Sequence, residues 1–415
     1  MKTISHLRDI LAQLPPQPTI VLHSGFAEPA LLAQQLADMA SDISGAKVYV
    51  FMPMGEAPYA SLQATQHLRV EAFFPGKALR QPIAQGLVQP NFTRFSQVPE
   101  QFNSGRIQAD LLLLQVSTAG PEGLHSLGIS LDYMAAVLAQ QPMIVAEINA
   151  QMPRTHSPVQ LPSDAITAAI EVNVPLHEAA PAQGDQLELD IAQHIAGLVR
   201  SGDVLQLGIG ALPDMVLAQL GHLRHLGLHS GIVTDAVRPL IESGVIDNST
   251  KREHAGKCIT TMAGGTADFY RYLDGHPLFE FHPCNHTHAQ ATLSRIEGLC
   301  CINSVLQVDL NGNANAQTMG GRLIATPGGL LDFAQGASRA PRGKSIIALR
   351  SANRDATVSN IVAAFDPNNP RSLTAGDLDY IVTEYGVAAV RGVSPAQLKR
   401  NLGAIAHPNF RDLLS

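Results

Sequence analysis

Two stretches of this chain open alike. "TIVLHSGFAEPALLAQQLADM" begins at Thr19, and "DVLQLGIGALPDMVLAQLGHL" begins at Asp203. Each is an apolar, β-rich run, then a glycine turn, then a proline, then an apolar pattern with helical spacing. Pro29 and Pro213 both suit the first turn of a helix, where a missing N–H leaves nothing unsatisfied. Strand, turn and helix in that order open a βα unit. Two such openings predict a duplication, with two α/β domains in tandem. At 415 residues the chain is also too long for one ordinary core.

The rest of the sequence alternates in the same way. "KVYVFM", "ADLLLLQVS", "PMIVAEIN", "HLGLHSGIVTDAV", "GLCCINSVLQVDL", "GKSIIAL" and "DYIVTEYG" are short apolar runs bounded by turn residues. Between them lie the helical patterns "SLDYMAAVLAQQ", "DIAQHIAGLVR" and "DFAQGASRA". This pattern predicts the α/β class: two similar open α/β domains with mostly parallel or mixed sheets covered by helices. The polar stretch "LHEAAPAQGDQLELD", from Leu176 to Asp190, is the expected linker. It divides the chain into domains 1–180 and 186–415. Ligands on open α/β sheets bind at the carboxyl ends of strands, so a cleft between two such domains is the expected site.

Charge and composition exclude several classes. The formal net charge is -7 and no Lys/Arg run occurs, which argues against nucleic acid as a partner. No apolar stretch approaches the ~20 residues that span a bilayer. "MKTISHLRDILAQLPPQP" carries charge through its apolar part and reads as a short amphipathic helix, not a signal peptide. Cys258, Cys284, Cys300 and Cys301 lack C-x-x-C spacing and read as reduced thiols of a cytoplasmic protein. Only 15% of residues are charged, which fits a surface partly hidden in a homo-oligomer.

Several motifs could carry chemistry. "QLGIGALPD" follows a strand and opens a helix. The amides around Gly208 and Gly210 can approach an anion closely, or can simply form a tight turn. Gly328 and Gly329 of "ATPGGLLDF" precede a second helical pattern and can form an oxyanion hole. "TMGGRL" just before them adds another glycine pair. Glu147 of "AEINAQMPRT" and Glu384 of "VTEYGVAAVRG" end strands, where a carboxylate can attack, accept a proton, or order a loop. His282, Cys284, His286 and His288 in "FHPCNHTHAQ" have zinc-ligand chemistry. They lack a second ligand pair at usual spacing, so no metal site is expected.

Taken together these motifs resemble the acetyl-CoA hydrolase/transferase family, the class I coenzyme A transferases related to 4-hydroxybutyrate CoA-transferase. The resemblance runs through "HSGFAEP", "GEAPY", "SLGISLDY", "AEINAQMPRT", "GDVLQLGIGALPD", "CINSVLQVDLNGNANA", "GGLLDFAQGA", "VTEYGVAAVRG" and "AIAHPNFR". It implies the class I CoA-transferase fold and an enzyme acting on a short-chain acyl-CoA and a small carboxylate. Coenzyme A is then a substrate, and no further cofactor is implied. It also implies a ping-pong route through an acyl-glutamyl anhydride and a glutamyl-CoA thioester. The glutamate of that route normally follows the His-Ser pair of a "G-(I/L)-H-(S/T)-E" turn. Here His229 and Ser230 are followed by Gly231. The family's "G-I-G-G-Q-V-D-F" is "TPGGLLDF", with Thr326 for the first glycine and Leu330 for the glutamine. Three readings follow. A transferase could use another carboxylate, Glu147 or Glu384. A hydrolase could use water, with His229 as base and the Gly328–Gly329 amides as oxyanion donors. An inactive acyl-CoA binder is the third.

Overall fold

A continuous apolar run such as "LLLLQV" suits a strand covered on both faces, and such runs build the first sheet. The computed structural model describes residues 1–180 and 183–414. Two units are formed: Met1–Ala180 with Thr260–His286, and Pro181–Ile259 with Thr287–Ser415. The sequence leads one to expect 186–415 as one uninterrupted second domain. The segment Thr260–His286 instead joins the first unit.

The first unit holds an eight-stranded sheet. Its strands are β1 (Lys2–Thr3), β2 (Thr19–Leu22), β3 (Lys47–Phe51), β4 (Arg69–Phe74), β5 (Val88–Pro90), β6 (Leu111–Val116), β7 (Met143–Asn149) and β8 (Ala168–Val172). They lie side by side as β1-β8-β7-β6-β2-β3-β4-β5, all parallel. Every residue of β6 is buried. Helix α1 (Ala30–Asp38) follows β2, with Pro29 as its N-cap, and buries Leu32, Ala33, Gln35 and Leu36. The N-terminal amphipathic segment forms a 3₁₀ turn over Leu7–Gln13 and buries Leu7 and Ile10. The returning segment packs closely. A Cβ on Gly264 would fall 2.2 Å from the Phe26 ring, and one on Gly25 would fall 2.7 Å from Met262 Sδ.

The second unit holds a six-stranded sheet. Its strands are β9 (Val204–Leu207), β10 (Gly227–Leu228), β11 (Leu299–Ser304), β12 (Lys344–Ala348), β13 (Tyr380–Thr383) and β14 (Gly386–Ala389). The order is β10-β9-β11-β12-β13-β14, parallel except for the antiparallel β13–β14 hairpin. Its principal helices are α2 (Gln186–Ala196), α3 (Ala211–Gln219), α4 (Leu330–Arg339) and α5 (Pro395–Ala404). The linker read as 176–190 ends earlier than expected. Asp185 and Glu188 form a reciprocal capping box, so α2 already begins at Gln186. Pro181 and Ala182, inside that linker, lie outside the described residues. The run "HLGLHSGIVTDAV" is not one strand: β10 ends at Leu228, and a separate Ile232–Val233 strand follows His229-Ser230-Gly231.

Candidate active site

The Gly208–Gly210 and Gly231 turns of the second unit follow β9 and β10 at their carboxyl ends. β9 is buried throughout, and the chain leaves it at Leu207 into Gly208-Ile209-Gly210. Gly210 has φ +122° and ψ −179°, a conformation that L side chains rarely adopt. A Cβ at Gly208 or Gly210 would meet nothing within 4 Å, and Ile209 is 48% exposed. The loop is therefore open, and no side chain among the described residues caps α3 behind it.

The neighbouring His229-Ser230-Gly231 turn is tightly fixed. Ser230 Oγ donates to the Leu207 carbonyl at 3.0 Å and accepts from the Leu207 N–H at 3.3 Å. The Ser230 N–H donates to Ile259 O, and the His229 N–H donates to Leu205 O. His229 is buried, and its Nε2 lies 2.9 Å from the Thr287 carbonyl. A carbonyl only accepts, so that nitrogen carries its proton and is not the basic one.

Gly231 does not have a positive φ, so its backbone does not demand glycine. Space does. A Cβ there would lie 2.7 Å from His288 Nε2 and 2.8 Å from His288 Cε1. The same ring meets Gly329, where a Cβ would lie 2.6 Å from both Nε2 and Cδ2. His288 is 3% exposed and packs edge-on against Phe333, with centroids 4.6 Å apart. Its Nδ1 is 2.8 Å from Thr287 Oγ1. Burial lowers its pKa to about 3, so the ring is neutral at physiological pH.

Gly329 is the N-cap of α4, and Gly328 before it has φ +55°. Asp332 sits in the first turn of α4, where the helix dipole favours an acidic residue. Leu330, which stands where the family pattern has glutamine, packs against the apolar core of this unit. Thr326 is buried. Thus Gly231 and Gly329 both meet the His288 ring, and His229 is bonded to the carbonyl of the residue before it.

The two glutamates serve other contacts. Glu384 follows β13, three strand positions from β9, or ~14 Å at usual strand spacing. It accepts from the Ser351 N–H at 3.0 Å and from Ser351 Oγ at 2.5 Å, tying down the loop after β12. Glu147 belongs to the first unit, on β7. Its Oε1 accepts from the Leu32 N–H at 2.7 Å, in the first turn of α1. Glu147 is fully buried, Oε2 has no partner among the described residues, and burial raises its pKa to about 7. Nearby, Glu28 accepts from the Tyr59 hydroxyl at 2.5 Å and is likewise pushed up to about 7 by burial. The zinc-like histidines serve separate contacts: His282 pairs with Glu280 at 3.2 Å and tilts against His286, while His288 lines the glycine cluster.

Both halves of the chain match a known family. The N-terminal domain of the acetyl-CoA hydrolase/transferase family matches residues 11–169, and its C-terminal domain matches residues 265–415. The chain belongs to this family. It is 32% identical over 395 residues to 4-hydroxybutyrate coenzyme A transferase of Clostridium kluyveri, covering 95% of this chain and 92% of that one. It is 25% identical to acetyl-CoA hydrolase of Kluyveromyces lactis, covering 74% of this chain and 59% of that one. The 4-hydroxybutyrate CoA-transferase structure from Porphyromonas gingivalis superposes with a TM-score of 0.83 at 32% identity, covering 100% of this chain and 96% of that one. The acetyl-CoA hydrolase/transferase family consists of enzymes, and its fold is the one described above.

The sequence reading missed His288 as a partner of Gly231. The only available signal was its place in the histidine cluster, which pointed to zinc instead. It also passed over Glu28 and Tyr59, whose spacing carries no motif.

Proposed function

We propose that this enzyme binds a short-chain acyl-CoA and hydrolyses its thioester, with water in place of an enzyme carboxylate. One observation carries the reading: the space beside Gly231 is filled by the His288 imidazole. Of the two carboxylates named as substitutes, Glu384 is held by Ser351, and Glu147 has one oxygen committed to the head of α1. In the step itself, water oxygen bonds to the thioester carbonyl carbon and the C–S bond breaks. The proton that water gives up ends on the departing sulfur, so carboxylic acid and free CoA leave. The developing oxyanion is assigned to the amides at Gly328–Gly329 and the uncapped start of α4. We assign the CoA moiety to the second unit, which contains a cavity of about 1010 Å³. Arg350 in its lining is paired with Asp185 and Glu188, so Arg354 and the Gly320–Gly321 backbone are the groups assigned to phosphate.

Transfer to a carboxylate acceptor is the second reading, favoured by the transferase names of similar proteins. The experiment that separates the two follows butyryl-CoA with and without acetate. Hydrolysis releases one free thiol per thioester consumed and leaves nothing for borohydride to reduce. Transfer produces acetyl-CoA and a borohydride-reduced glutamate, identified by peptide mass spectrometry at Glu147 or Glu384. Tight binding with an intact thioester would mean a non-catalytic binder. We place the protein in the cytoplasm, supported by four buried free thiols, and as a homo-oligomer, which sedimentation tests.

A further inference from the structure

Gly231 and Gly329 come from different loops, yet both face the same imidazole edge. We infer that His288 is the specificity-determining residue of the site: its ring occupies the volume of a side chain at 231 and so reserves the acyl group for an acceptor from solution. The inference rests on the hydrolase reading for its functional half. Its steric half stands on geometry alone.

The distances carry it. Cβ atoms essentially never approach another heavy atom within 3.0 Å, and His288 stands at 2.7 Å from one built at 231 and 2.6 Å from one built at 329. The ring has little room to retreat. It is buried, Phe333 lies against it, and Thr287 Oγ1 is bonded to Nδ1. Because Gly231 lies outside the positive-φ region, strain in the backbone is not what excludes a side chain there. The residue at 231 and the residue at 288 must therefore change together. A buried neutral imidazole is also a weak base, so His288 acts by its position and shape rather than by taking a proton.

A double-mutant cycle on the full chain tests this. Gly231→Ala should lower Tm by about 4 °C or more in the wild-type background, the size expected of an overpacked core site. In the His288→Ala background the same methyl group should lower Tm by less than ~1 °C. Equal losses in both backgrounds would overturn the steric half. The functional half uses Gly231→Glu with and without His288→Ala, each checked by CoA calorimetry. The double variant should give borohydride-reduced glutamate at 231 and at least ~10-fold faster acyl exchange than Gly231→Glu alone. A double variant that binds CoA but shows no label at 231 would overturn it. Failure of wild-type hydrolysis, measured as thiol release, would count against the proposed function and leave the cycle readable.

Discussion

Replacing Glu147 with glutamine separates a carboxyl that holds a helix from one that attacks a thioester. The carboxyl is raised by burial from 4.5 to about 7, helped by the neighbouring charge of Glu28 and opposed by the amides of Leu31 and Leu32. Between those values the folded chain keeps a proton that the unfolded chain gives up. Stability from this group is therefore fully present below pH 4.5 and is lost as pH rises through 7. The gap of about 2.5 pH units, at roughly 1.4 kcal/mol each, amounts to ~3 kcal/mol. The glutamine side chain has no proton to lose and keeps an oxygen for the Leu32 N–H. Relative to wild type, Glu147→Gln should thus gain ~3 kcal/mol between about pH 4.5 and pH 8. Glu28, also held near 7, titrates in both proteins and largely cancels. Urea unfolding at a series of pH values, followed by circular dichroism, reads the difference. Parallel curves at every pH would refute the buried-carboxyl argument. A normal unfolding profile with complete loss of thioester cleavage would make Glu147 the chemical group, and the water route would fall.

Other expectations follow from single contacts. Asp203→Asn removes the carboxylate partner of the partly buried Lys344, 2.5 Å away, and should cost about 1–3 kcal/mol in a thermal melt, since Asp379 still offsets part of the lysine charge. Gly210→Ala forces a side chain into φ +122° and should cost about 1–3 kcal/mol or displace the loop. Calorimetry should then show weaker CoA binding. Cys258, Cys284, Cys300 and Cys301 are all buried, and burial pushes the Cys300 thiol up to about 12. Iodoacetamide at about pH 8 should leave the native protein unlabelled by mass spectrometry and add four groups after denaturation.

The sheets were legible because their signal is local. "LLLLQV" and "MIVAEIN" are apolar without alternation, the mark of strands buried on both faces, and they form β6 and β7. The glycine turns were legible for the same reason, since each follows its strand and opens its helix within a few residues. What was hidden depends on partners distant in sequence. Glu147 caps a helix 115 residues earlier, so no local pattern marks it as structural rather than catalytic. His288 is defined by two glycines on other loops, and a lone sequence shows only a histidine-rich turn. The linker reads on to Asp190 in the sequence because a polar capping box looks like linker until the helix behind it is seen.

The return of Thr260–His286 to the first unit bears on how the chain is made. A ribosome that has just released residue 180 has delivered every strand of the first sheet but not the segment that covers Phe26 and Gly25. At usual elongation rates the missing piece arrives roughly 5–20 s later. Through that interval the nascent first unit waits with an apolar patch uncovered, a natural resting place for a chaperone. A gene cut at residue 180 would make the wait permanent, so expression of that half alone should yield aggregate, whereas co-expression with the remainder supplies the cover in trans.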